Sequence, residues 1–226
     1  MSDDSGNHDD DVASATDLEK ADIEIGKKIA KHRHHPVAKA AGKAGKLGDQ
    51  GPLYALSTGL LAVGVASRDR RITDTALSML AAIGVADVTK RIVKKSVRRT
   101  RPKVLLEEGD YEADTGGSND KREQSFPSGH TACSVAAARA FARHVPEAGA
   151  AAGAAAAALG ISRIAKGEHW PLDVLAGAVI GFAAEAFSAL FFEQAIKPQH
   201  LALKRCVAGL SRLSPRKSRT DFLRCL

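Results

Sequence analysis

Charged and uncharged positions fall in long blocks along this chain, without the two-residue alternation of half-buried strands. Residues 50–67 run eighteen in a row without a charge. Arg68, Asp69, Arg70 and Arg71 follow as a charged turn. Residues 75–86 are twelve uncharged positions closed by Asp74 and Asp87, and the pattern predicts a helix continuing to about Thr100, where Pro102 stops it. Residues 103–126 read as a polar loop. Pro127 and Ser128 then open a helix whose small and apolar positions, 131–138, lead to Arg139 and Arg143 at i, i+4. Pro146 breaks it. Residues 148–162 are fifteen uncharged positions, almost all Ala and Gly. Pro171 starts the last long helix, 172–196, whose only charges before Glu193 are Asp173 and Glu185. The expected fold is all-α, a helical bundle of about five to six helices.

The ends differ from this middle. Residues 1–16 read as a disordered acidic tail, and the first nineteen positions carry seven acids and no Lys or Arg. Residues 17–47 form a charged, amphipathic helical segment interrupted near Pro36. Residues 201–226 are a basic C-terminal tail. At 226 residues the chain suits one domain, expected over 48–200. Four apolar stretches in succession, rich in small residues that let membrane helices approach closely, favour a membrane-embedded bundle. The run 50–67 is a borderline span, because a bilayer needs ~20 helical residues. The mean hydropathy of −0.16 is what a soluble bundle would show.

Composition narrows the classes further. Aromatic residues make up only 4% of the chain, which argues against a β-sandwich. The three cysteines, Cys133, Cys206 and Cys225, have no paired spacing, so neither a disulfide framework nor a zinc site is expected. Cys133, three residues after His130, reads as a small buried core thiol. The net charge of +7 is concentrated: residues 90–103 hold eight bases and no acid, and the last thirty residues hold eight bases against Asp221. Such blocks suit anions in general. No aromatic residue is interleaved with the bases of 90–103 and no recognition motif accompanies either block, so nucleic acid is not an expected partner. The N-terminus lacks an apolar signal-peptide core, which argues against a secreted soluble enzyme.

Three segments carry candidate chemistry. Lys94 and Arg101, seven apart and followed by Pro102, would share one face of a helix near its end and could grip two oxygens of one phosphoryl group. In the second, Pro127-Ser-Gly-His130, Ser128 fits an N-cap and Gly129 allows a ligand close to the backbone. The free N–H groups of the new helix then point at the ligand, and His130 in the first turn could protonate a departing oxygen. In the third, Ser162 and Arg163 precede His169 and Asp173, which stand four apart. The carboxylate could hold the imidazole tautomer and leave the other nitrogen free to attack. In an up-and-down bundle the three segments fall at one end, so the site assembles from connections at a single face.

In order and spacing these segments read KX6RP, PSGH and SRX5HX3D, and with them the sequence resembles the type 2 phosphatidic acid phosphatase superfamily over about 85–200. The resemblance implies that His169 is a nucleophile forming a phosphohistidine, that Asp173 orients it and that His130 protonates the leaving alkoxide. It implies that Lys94, Arg101, Ser128, Gly129 and Arg163 hold the phosphoryl oxygens, with neither a metal nor another cofactor. The expected function is hydrolysis of a membrane lipid phosphate, either phosphatidate-like or a polyprenyl phosphate or diphosphate. The alternatives are a vanadate-dependent haloperoxidase, a soluble acid phosphatase using the same pocket, or a non-catalytic lipid- or anion-binding membrane protein. The expected location is the cell (inner) membrane, multi-pass. Basic residues flank both sides of the bundle, so the positive-inside rule does not choose the side of the site. His32, His34, His35, His144 and His200 read as bystanders.

Overall fold

The computed structural model describes residues 16–36 and 48–195. The acidic tail but for Thr16, residues 37–47 of the charged segment and the basic C-terminal tail lie outside the described residues. The long helices are α1 (Asp17–Ala30), α2 (Gln50–Ser67), α3 (Arg70–Lys94), α5 (Gly129–His144), α6 (Gly149–Ala165) and α7 (Pro171–Ala195). Between α3 and α5 the chain forms β1 (Val97–Arg99), the short α4 (Pro102–Glu108) and β2 (Ala113–Thr115). Five of the long helices form the bundle, and α1 packs at its end against α4, α6 and α7.

Local chemistry sets the boundaries. Thr16 caps α1 by accepting from Glu19 N at 3.3 Å. Arg68 leaves α2 in the left-handed region at φ 57°, and Asp69 caps α3 through Arg71 N at 2.8 Å and Ile72 N at 3.2 Å. Together they make the charged turn between two antiparallel helices. Pro102 opens α4 at its first position, where a missing N–H costs nothing, and Gly109 closes it with φ 80°.

The structure departs from three sequence expectations. The helix expected to reach Thr100 ends at Lys94, because Val97–Arg99 pairs antiparallel with Ala113–Thr115, Arg99 opposite Ala113. Arg99 N also donates to Glu123 O at 2.7 Å, so this backbone spends its hydrogen bonds across the chain and not along a helix. Lys94 therefore ends α3 while Arg101 caps α4, and the two cations do not share a helix face. The polar loop expected over 103–126 contains α4 and β2.

The core is made of small residues. Met79, Ala82, Ile83 and Ala86 on α3 meet Ala132, Cys133, Ala136, Ala137 and Ala140 on α5 and Ala184 on α7. Helix α5 sits in the middle, flanked by α3, α6 and α7. Side chains of Ala size let these helices approach closely, as bundles held without a hydrophobic drive require. Helix α7 lies close on α5. A Cβ at Gly181 would lie 2.6 Å from Ala132 O, and one at Gly177 would collide with Ser128 O. Gly177→Ala is expected to destabilise the fold by about 1–3 kcal/mol, read as a lower melting midpoint of detergent-purified protein. An unchanged midpoint would show that α7 can draw back from α5 freely.

Apolar side chains face outward around the bundle, among them Val63, Val88, Ile92, Ile161, Val179 and Phe187. Pro146–Ala165 and Pro171–Phe192 are long and apolar enough to cross a membrane, with 28% of the apolar eighteen-residue stretch of each buried inside the protein. The run 50–67 forms α2 over its whole length but is not among those two.

Candidate active site

Connections from four elements meet at one end of the bundle. The last turn of α3 brings Lys94, the first turn of α5 brings Gly129 and His130, the end of α6 brings Arg163, and the approach to α7 brings His169. Ser128 N donates to Asp173 O at 2.9 Å, stitching the second and third sequence segments together through the backbone. Lys103 N donates to Gly167 O at 2.9 Å and ties the first segment to the third.

His169 is buried, and its Nδ1 lies 2.7 Å from Ser125 O. A carbonyl only accepts, so Nδ1 carries the proton and Nε2 keeps its lone pair. Asp173 Oδ2 lies farther from that nitrogen, at 3.8 Å. Burial pushes the His169 imidazole below its ordinary range. The Asp173 charge opposes that fall, and the positive charge of Arg101 and Lys94 adds to it. The neutral imidazole, the form that can attack, is therefore favoured.

Asp173 is fully buried and held from several sides. Its Oδ2 accepts from Ser125 Oγ at 2.5 Å and from Trp170 N at 2.8 Å, and its Oδ1 accepts from Arg99 Nη1 at 2.9 Å. Ser125 thus touches both members of the pair: its carbonyl accepts the hydrogen bond from His169 Nδ1 and its hydroxyl donates to the carboxylate.

His130 stands beside His169, its ring centroid 6.4 Å from that of His169. Its Nε2 faces Asp49 Oδ1 at 2.5 Å, and the same oxygen is 3.8 Å from Arg163 Nη2. Arg163 is buried and pairs with Glu168 Oε2 at 2.9 Å. Lys94 Nζ donates to Gln124 O at 2.7 Å. Arg101 Nε is buried and has no hydrogen-bond partner among the described residues. Ser128 is the N-cap residue of α5, yet its side chain accepts no capping bond; its hydroxyl pairs with Thr131 Oγ1 at 2.9 Å. Gly129 is buried beneath the Lys90 side chain. All eight residues singled out from the sequence thus gather at this end.

Several residues at the site had no signal in the sequence segments: Asp49, Arg99, Ser125, Glu168 and Trp170. Asp49 precedes an apolar run and reads there as its boundary. Arg99 reads as one more base in the 90–103 cluster. Much of that cluster is neutralised internally, since Asp87 pairs with Lys90 at 3.0 Å and with Arg91 at 2.8 Å, and Arg98 pairs with Glu112 at 3.3 Å. Elsewhere, His144 Nε2 lies 2.9 Å from Ser78 Oγ, far from the site, and Cys133 is buried in the core. Among the described residues no group of three or more His, Cys, Asp or Glu side chains could hold a metal ion.

Several solved structures resemble this one. The crystal structure of Aquifex aeolicus LpxE is 25% identical, with a TM-score of 0.55 over 74% of this chain and 93% of the other. The crystal structure of a protein described as the first transmembrane PAP2 type phosphatidylglycerolphosphate phosphatase, from Bacillus subtilis, is 23% identical. It shares the fold with a TM-score of 0.59 over 84% of this chain and 94% of the other. No curated protein matches the chain in sequence. The family model described as the PAP2 superfamily matches residues 75–197, more than half of the chain and the part that holds all three site segments, and the chain belongs to that superfamily.

Proposed function

We propose that the chain is a multi-pass phosphatase of the cell (inner) membrane that hydrolyses a lipid phosphate without a metal, through a phosphohistidine at His169. Residues 48–200 are its catalytic domain. The observation that carries this reading is the convergence of a proton-fixed neutral imidazole, a second imidazole and three cations at one end of an apolar-faced bundle.

In the reaction, His169 Nε2 attacks phosphorus while its Nδ1–H remains on Ser125 O. The bond from phosphorus to the lipid oxygen breaks, and His130 gives that oxygen a proton. The leaving oxygen takes the place of the Asp49 carboxylate beside His130 Nε2. Lys94, Arg101 and Arg163, with the backbone N–H groups at Gly129, hold the equatorial oxygens as charge spreads over them. Water, now deprotonated by His130, then attacks phosphorus, and the N–P bond breaks to release inorganic phosphate. Leu175 and Val179 on α7 and Val88 and Ile92 on α3 are exposed within a few turns of the site. Those faces give the tail of a phosphatidate-like or polyprenyl substrate an apolar path. The Aquifex aeolicus and Bacillus subtilis neighbours support the same class.

The test is phosphate release by detergent-purified protein in EDTA, with phosphatidate, a polyprenyl phosphate, a polyprenyl diphosphate and a water-soluble phosphoester as substrates. The expected result is turnover of at least one lipid ahead of the soluble ester, blocked by vanadate, which mimics the five-coordinate phosphoryl group. Turnover that requires added metal would overturn the reading.

A further inference from the structure

Helix α1 stands outside the three sequence segments, yet it reaches the catalytic carboxylate through one buried arginine. Arg99 is 6% exposed, and each edge of its guanidinium is engaged. Nη1 donates to Asp173 Oδ1 at 2.9 Å, Nη2 to Asp22 Oδ2 at 2.8 Å and Nε to Tyr111 Oη at 3.2 Å. Its cationic face lies over the Trp170 ring, 5.5 Å from the centroid. Tyr111 in turn donates to Glu19, one turn before Asp22 on α1.

Asp22 serves two elements at once. Its second oxygen, Oδ1, accepts from Leu172 N at 2.8 Å and so fixes the first turn of α7, the turn that carries Asp173. Close docking of α1 keeps that carboxylate in place. Gly26, one turn on, lies against Trp170, and a Cβ there would come 2.8 Å from Trp170 Cζ3. Trp170 is fully buried, donates its indole N–H to Thr100 O at 2.7 Å and stands next to His169 in the chain. An Arg99 held by one carboxylate could swing toward either; held by Asp22 and Tyr111 it can present only Nη1 to Asp173.

We infer that Asp22 and Arg99 are positioning residues of the active site, through which α1 fixes the carboxylate and backbone that orient His169. The inference rests on the phosphatase reading and adds to it a helix that none of its three segments contains. Its consequence is directional. Loosening α1 slows the attack of His169 but leaves the phosphate-holding cations Lys94, Arg101 and Arg163 in place.

The experiment compares the full chain with Asp22→Asn, Tyr111→Phe and, as a control on the outward side of α1, Glu24→Gln. Among the described residues Glu24 pairs with Lys28, on the exposed face. Phosphate release from the best lipid substrate gives kcat and KM, and inorganic phosphate serves as competitor. Asp22→Asn is expected to lower kcat on the order of tenfold, with KM and the phosphate inhibition constant within about twofold of the unaltered chain. Tyr111→Phe keeps the ring and removes one acceptor, and is expected to lower kcat about fivefold, which decides the matter should Asp22→Asn fail to fold. Glu24→Gln is expected to match the unaltered chain. Unchanged kcat in folded Asp22→Asn or Tyr111→Phe, or a rise in KM and in the inhibition constant with kcat intact, overturns the inference and leaves the phosphatase reading standing. An unaltered chain that releases no phosphate from any lipid overturns the phosphatase reading, and this inference with it.

Discussion

His169→Ala is expected to stop lipid phosphate hydrolysis, lowering turnover about ten-thousand-fold, the scale on which losing one member of a catalytic triad is felt. The reason is positional and electronic together. The ring is buried with Nδ1 committed to Ser125 O at 2.7 Å, so Nε2 is the only nitrogen with a free lone pair. Burial also holds its pKa below the ordinary imidazole range. The neutral nucleophile therefore survives on the acid side, and kcat/KM in the unaltered chain should hold to below pH ~6.5 before its acid limb falls. Because Lys94, Arg101 and Arg163 remain, inorganic phosphate should still raise the melting midpoint of the Ala variant. Residual turnover near the unaltered rate would remove His169 from the chemistry.

Arg101→Ala is the second large effect. Its Nε is buried with no hydrogen-bond partner among the described residues, a costly state for a guanidinium unless an anion completes it. Losing an oriented donor to the charge that develops in the transition state costs about a hundred- to a thousand-fold in kcat. Arg101→Lys should recover only part of this, since an ammonium cannot reproduce the planar fork. Steady-state kinetics on both variants checks the expectation. Equal rates for Lys and Arg would show that charge alone matters at this position.

How far the sequence was legible depended on the range of the interactions. Uninterrupted apolar runs define helices locally, and the boundary of α2 at Gln50 and Ser67 could be read directly because charged residues close the run on both sides. Pro171 marked the start of α7 for the same kind of reason. The ribbon was hidden: each of its strands is three residues long, too short for a two-residue period to show. Missing it placed Lys94 and Arg101 on one helix, although they come to the site from separate elements. The three segments singled out eight candidate residues because their spacing matches a family pattern, and the fold places all eight at one end of the bundle. Nothing local could have revealed Arg99 as an internal ion-pair hub, because its partners lie 77 residues before it at Asp22 and 74 after it at Asp173. Among adjacent bases it looked like part of a solvated cluster, and only the fold distinguishes it from Arg98.

On the proposed mechanism His169 becomes covalently phosphorylated. Protein in EDTA would be mixed with a lipid labelled at its phosphate, quenched in alkali within milliseconds and separated from free label. Label is expected on the unaltered chain, stable in alkali and lost in acid as a phosphoramidate is, and none on His169→Ala. Rapid lipid turnover with no protein-bound label at any quench time, or equal labelling of the Ala variant, would contradict it.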